Sequence, residues 1–261
     1  MKLIMLGNCA TLTAIHSTTS FAIENDGRYL LVDCGPSVVS QLMKAKIPLD
    51  KISHIIITHC HGDHSGGYPY LVFSINLARM MSKNNSIEKI EVVAMKSVYD
   101  GISCSLHSQY PIEHLEEQLI NSHIIPDGEE AIIDAIGLSI NLFPTYHIVP
   151  SVGMTIRSAG KSICYTCDSL YDERLIHYAI DCNVLIHEAF CCEKSADIAK
   201  HSGHATAKEA GIFANKANAG KLILCHSLAF ELQNPQNLIS EASEAYKGTI
   251  LIPTELDTFE I

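Results

Sequence analysis

The sequence predicts a layered α/β domain with two sheets inside and helices outside, because strand-like apolar runs keep alternating with helix-like ones along its length. No Pro-, Gly- or Ser-rich linker divides the chain and no repeat of fixed period appears, so residues 1–261 are expected to form a single domain. With 47% hydrophobic and 18% charged residues the composition is that of a globular protein, which excludes disorder, a collagen-like repeat and a coiled coil.

The elements follow in order. Lys2 to Leu6, Ser20 to Glu24 and Tyr29 to Val32 carry the apolar patterning of strands, with Asn25-Asp26-Gly27 as the tight turn between the second and third. Pro36 to Lys46 suits a helix, Pro36 fitting its first turn, and His54 to Thr58 returns to a buried strand. A helix from Tyr68 to Met81 and a strand at Ile90 to Ala94 precede a mixed stretch, Lys96 to Leu119, that contains Pro111 and is expected to be a lid or insertion. Strands are then expected at 131–133, 138–143, 152–157, 161–166, 184–187, 222–225 and 249–252, with helices at 172–180, 206–216 and 234–246.

Eighteen Lys plus Arg stand against 29 Asp plus Glu, a net charge of −11 that disfavours tight binding to long RNA. No apolar run approaches the roughly 20 residues that cross a bilayer, and Met1 to Gly7 turns polar too soon for a signal peptide, so a soluble cytoplasmic protein is expected. The ten cysteines mostly sit in or beside apolar strand-like runs and are expected to be reduced, buried thiols. Cys164 and Cys167 have the spacing of a metal or redox pair, but strand alternation points them to opposite faces and no second pair follows.

The chemistry concentrates in Thr58-His59-Cys60-His61-Gly62-Asp63-His64-Ser65-Gly66-Gly67, directly after a buried strand. Three imidazoles and a carboxylate within His59 to His64 supply nitrogen and oxygen donors, and the turn at Gly62 lets neighbours face two metal centres. The pattern His59-x-His61-x-Asp63-His64 resembles the signature of the metallo-β-lactamase superfamily, which implies its four-layer αββα sandwich and a pair of divalent ions.

The later motifs match that superfamily in order. Leu30-Leu31-Val32-Asp33-Cys34-Gly35 is similar to the segment whose aspartate hydrogen-bonds beside the metal loop without ligating. By the same resemblance His59, His61 and His147 would hold one ion and Asp63, His64 and His226 the other, with Asp168 in Cys167-Asp168-Ser169 bridging both. Zn²⁺ or Mn²⁺ would fit these donors, and Fe²⁺ is an option. The cysteines next to ligands, Cys60, Cys167 and Cys225, would point into the core.

His204-Ala205-Thr206 opening an Ala-rich helix, and Glu188 in His187-Glu188-Ala189, resemble the ribonuclease Z-like phosphodiesterase branch. There the histidine assists the leaving group and the glutamate orients it, and Thr206 would cap the helix. His201 and His187 are the rival histidines. The interval from His147 to Asp168 holds 20 residues and has no room for the long arm with which bacterial ribonuclease Z grips tRNA. That compactness resembles the PhnP-type cyclic phosphodiesterases, although the segment Cys9 to Ser20 lacks their cysteine-rich zinc cluster.

The resemblance therefore implies a binuclear hydrolase that cleaves a small or cyclic phosphodiester with a metal-bridging hydroxide, Asp63, His204 and Glu188 serving catalysis, in a homodimer. The alternatives are a lactone, thioester or β-lactam hydrolase on the same metals, tRNA 3′-end processing, and a non-catalytic metal-binding protein. The loop Asn8 to Thr19 is expected to help choose the substrate.

Overall fold

A computed structural model describes residues 1–11, 13, 15–82 and 88–261. Positions 12 and 14 of the expected substrate loop lie outside the described residues. Among the described residues, fourteen strands form two seven-stranded sheets. The first contains β1 (Lys2–Gly7), β2 (Ser20–Asn25), β3 (Arg28–Val32), β4 (Ile52–Ile56), β5 (Ile90–Met95) and β6 (Ile120–Ile125). The second contains β7 (Ala131–Ala135), β8 (Leu138–Pro144), β9 (Val152–Ser158), β10 (Lys161–Tyr165), β11 (Val184–Glu188), β12 (Lys221–Cys225) and β13 (Thr249–Leu251). The last strand, β14 (Thr258–Glu260), returns to the edge of the first sheet beside β1.

Helices α1 (Val38–Lys44), α2 (Gly62–Ser65), α3 (Tyr68–Ser82), α4 (Lys96–Gln109) and α5 (Leu115–Leu119) belong to the first half, and α6 (Ile176–Ala179), α7 (Ala196–Ser202), α8 (Ala207–Lys216) and α9 (Pro235–Ala245) to the second. The result is an αββα sandwich, as the resemblance implied. The stretch expected to be mixed is mostly α4, which buries Val98, Ile102 and Leu106. Its helix is hard to see in sequence because Gly101 and several serines lower helix propensity.

Strand alternation builds the layers. Along β11, Val184 and Ile186 join the large core between the sheets, whereas Leu185 joins a second core under α8 and α9. The Phe21 ring on β2 meets the Tyr165 ring on β10 edge-to-face at 5.1 Å, tying the two sheets together. Each such fully buried large side chain stabilises the fold by about 1.5–3 kcal/mol. On the outer face, α8 turns Ala207, Ala210, Phe213 and Ala214 inward, and its first turn is fixed by a capping box between Thr206 and Glu209.

Both sheets contain parallel pairs, β3 to β6 in the first and β10 to β13 in the second, so several strands end at the same edge of the molecule. Asp33, His59, Asp168, Glu188 and His226 all stand at or just beyond those carboxyl ends, where open α/β folds place their ligand sites. No helix among the described residues is long and apolar enough to cross a membrane. All ten cysteines are free thiols, and Cys164 and Cys167 pack into different cores. Cys60 departs from expectation: it is exposed, lying four residues past the end of β4 in the turn that leads into α2.

Candidate metal centre

The strand-end loops enter the site at a cost in backbone strain. Asp33, Cys167 and His226 follow β3, β10 and β12 with φ of 63°, 56° and 52°, a region costly for residues other than glycine. The metal-type loop is then pressed onto the loop after β3. Cys34 N donates to His64 O at 2.6 Å and Gly67 N to Cys34 O at 2.7 Å. A Cβ on Gly67 would sit 2.2 Å from Gly35 O, so only glycine permits this approach.

On that frame the sequence-predicted residues come together. One donor atom each from His59, His61, His147 and Asp168 lies within 4.8 Å of the others, and so do those of Asp63, His64 and His226. Asp168 Oδ2 is the meeting point, 3.1 Å from His226 Nε2, 3.3 Å from His64 Nε2 and 3.6 Å from His59 Nε2. His61 Nδ1 lies 3.1 Å from His59 Nε2 and 3.2 Å from His147 Nε2. Both Asp168 oxygens and His64 Nε2 are buried without a hydrogen bond, which suits groups whose partner is a cation.

The outward nitrogens explain why the inward ones offer lone pairs. His64 Nδ1 donates to Asp33 Oδ2 and His147 Nδ1 to Gly203 O, both at 2.8 Å. His59 Nδ1 lies 3.0 Å from Thr58 Oγ1, whose single proton goes to Asp33, so the imidazole is the donor. His226 Nδ1 stands likewise 3.1 Å from Thr19 Oγ1, which itself donates to Cys9 O. In each of these four rings Nδ1 is the donor to its outer partner, which leaves Nε2 facing the cluster. Asp33 also accepts from Thr58 N at 2.8 Å and so orients the loop.

Electrostatics follow from burial and from one central anion. Burial holds His59 and His226 well below the usual imidazole range. Burial also works to lower His64, but Asp168 and Asp33 outweigh it and hold that ring well above its range. The Asp168 carboxyl would be raised by burial, yet the His226 and His64 rings hold it well below the carboxylate range.

At the edge of the cluster, His204 Nδ1 lies 3.0 Å from Glu188 Oε2 and 4.0 Å from Asp168 Oδ2. Glu188 Oε1 also accepts the Ser169 backbone N–H at 2.5 Å. Burial opposes a proton on His204, but Glu188 and Asp168 outweigh it and lift the imidazole to about 9. Burial pushes the Glu188 carboxyl up to about 7, against which the His204 ring and the two hydrogen bonds it accepts work, and since His204 lies higher the proton belongs to the imidazole.

The rival histidines are elsewhere. His201 is exposed on α7. His187 points to the outer face of its sheet, against Phe213 of α8, and its Nδ1 donates to the Glu188 carbonyl at 2.7 Å. Burial lowers it to about 4. Between an unfolded value near 6.5 and that folded value, only the unfolded chain takes up the proton. His187 therefore costs stability progressively as pH falls through that window, about 3 kcal/mol by its lower end. Urea unfolding of wild type and His187→Asn between pH 7 and pH 4 should show a shallower acid loss in the variant; parallel curves would mean His187 does not titrate with folding.

Sequence reasoning missed Thr19 and the Gly203 carbonyl, which hold His226 and His147. Neither belongs to a motif, and a buried hydroxyl bordering a strand is the only local signal.

Comparison with known proteins bears on this centre. The family model described as anti-Pycsar protein Apyc1 matches residues 1–230. The ribonuclease Z of Archaeoglobus fulgidus is 26% identical over 96% of this chain and 94% of its own. A Bacillus subtilis protein described as a probable metallo-hydrolase, YhfI, is 27% identical over 97% of this chain and 96% of its own. The crystal structure of YhfI, a metallo-β-lactamase fold protein, matches with a TM-score of 0.80 at 22% identity, covering 99% of this chain and 98% of that one. A diphosphatase structure from the PhnP family matches at 0.73 with 18% identity, covering 100% and 97%.

Proposed function

The chain belongs to the family of the anti-Pycsar protein Apyc1, and from that premise we propose that it is a binuclear metal-dependent phosphodiesterase acting on a small or cyclic phosphodiester. That it is a metal-dependent hydrolase of the ribonuclease Z-like type accords with its relatives. The observation that carries the finer reading is the His204–Glu188 pair at the rim of the metal-type cluster, a proton donor with its partner where a leaving oxygen needs one.

In this reading His59, His61 and His147 hold one ion, Asp63, His64 and His226 the other, and Asp168 is shared. Two divalent cations held there, Zn²⁺ or Mn²⁺, would lower the pKa of water to about 7 and offset charge building on the phosphoryl oxygens. The chain's own part is to place them. Thr58, Asp33, Gly203 and Thr19 fix the tautomer and plane of four of the five imidazoles, those of His59, His64, His147 and His226, and Asp168 supplies the negative charge between the two sites. Asp63, the most accessible carboxylate of the set, is positioned to accept a proton from attacking water. His204 gives its proton to the departing alkoxide while Glu188 holds the ring.

A small substrate is favoured by the net charge of −11 and by the short return between His147 and Asp168. There the chain is only the hairpin of β9 and β10, closed at Ala159-Gly160 with φ of 47° and 76°.

The test is hydrolysis of bis(p-nitrophenyl) phosphate after chelation and reloading. Turnover should vanish on chelation and return with Mn²⁺ or Zn²⁺. No turnover with either metal, beside hydrolysis of a lactone or thioester, would overturn the assignment.

A further inference from the structure

Phe190 has a role that no motif assigns. It lies two residues past β11, and its ring is stacked on the His204 imidazole with centroids 4.1 Å apart and planes only 6° from parallel. Few apolar partners account for its position: the small cluster it joins holds Ala10, Cys191, Ala199 and Leu228. Its backbone is tied to both loops that frame the histidine. Phe190 N donates to Ala205 O at 3.0 Å, and Phe190 O accepts from Leu228 N at 2.9 Å. The side chain is 7% exposed, and beyond His204 its ring lies 6.2 Å from that of His226.

A histidine held by one hydrogen bond, from Nδ1 to Glu188, can still rock about that bond. A flat apolar surface against one face of the ring stops the rocking. We propose that Phe190 is the positioning residue for His204, holding the imidazole in the plane from which its free Nε2 delivers a proton to the leaving oxygen. This rests on the reading of His204 as the proton donor, which the experiment tests in a separate arm.

The measure is the ratio of kcat/KM for bis(p-nitrophenyl) phosphate to that for diphenyl phosphate, on enzyme reloaded with Mn²⁺. The substrates have nearly the same shape, but phenolate leaves without help far less readily than p-nitrophenolate. Against wild type, His204→Ala should raise the ratio by about a hundredfold, within the range general acids contribute. Phe190→Leu should raise it by about tenfold, and Phe190→Tyr, which keeps the ring face, should restore it. Should Phe190→Leu not accumulate as folded protein, Phe190→Met removes the ring while filling the space.

Independently of turnover, the His204 ring-proton resonances of metal-free protein, shielded by the Phe190 ring current, should move downfield in Phe190→Leu and not in Phe190→Tyr. If Phe190→Leu slows both substrates equally while His204→Ala raises the ratio, Phe190 is only packing and the proposal falls alone. If His204→Ala leaves the ratio unchanged, the proton-donor reading falls and takes the proposal with it.

Discussion

Replacing Asp168 by alanine should lower kcat/KM on bis(p-nitrophenyl) phosphate by at least about a thousandfold and reduce the metal bound per chain from about two to one or fewer. The loss is expected to exceed that of any other single substitution because of where the carboxylate sits. Its Oδ2 lies 3.1 to 3.6 Å from Nε2 of three different histidines, and neither oxygen makes a hydrogen bond. Alanine would remove the one donor common to both candidate ion sites and leave two dications facing each other without an anion between them. Asp168→Asn separates charge from shape: it keeps the volume but loses the charge, and should lose metal almost as fully. Metal content by mass spectrometry of the native protein, beside turnover, checks both. Retention of two ions and activity in Asp168→Ala would show that the histidine groups bind metal without a bridge, and would sink the binuclear reading.

How much of this was readable from the chain depends on how local each signal is. The donors from His59 to His64 lie so close in sequence that spacing alone marks them, and the αββα layering follows from apolar periodicity. His147, Asp168 and His226 were legible only through their resemblance to the superfamily's later motifs, which their order and strand-end positions supported. Strand β6 was not, because four of its six residues are exposed and it carries no apolar alternation, while β14 is too short to show a period. Thr19, Gly203 and Phe190 act through tertiary partners on loops far apart in the chain, so no pattern in one sequence could join them to His226, His147 and His204. Cys60 shows the converse: an apolar strand behind it suggested burial, but the turn into α2 decides its exposure.

The second large effect concerns the pair at the rim. His204→Ala should cut kcat on diphenyl phosphate by about 10²- to 10³-fold while leaving bound metal near the wild-type amount, since its Nδ1 is committed to Glu188 and lies 4.0 Å from Asp168. Added imidazole should recover part of the lost rate by entering the vacated space as a free acid. Glu188→Gln is the sharper probe. The carboxylate accepts from both Ser169 N and His204 Nδ1, and an amide has only one oxygen with which to accept. If that oxygen stays with Ser169, the amide NH₂ faces Nδ1 and holds the imidazole neutral; if it turns to His204, the NH₂ meets the Ser169 N–H. Either way the protonated ring loses its anionic partner and becomes scarcer near neutral pH. Glu188→Gln should therefore behave like a milder His204→Ala, slowing diphenyl phosphate by about 10- to 100-fold, slowing bis(p-nitrophenyl) phosphate less, and binding metal normally. Equal slowing of the two esters, or loss of metal, would mean that Glu188 supports the fold of the site and not the proton on His204.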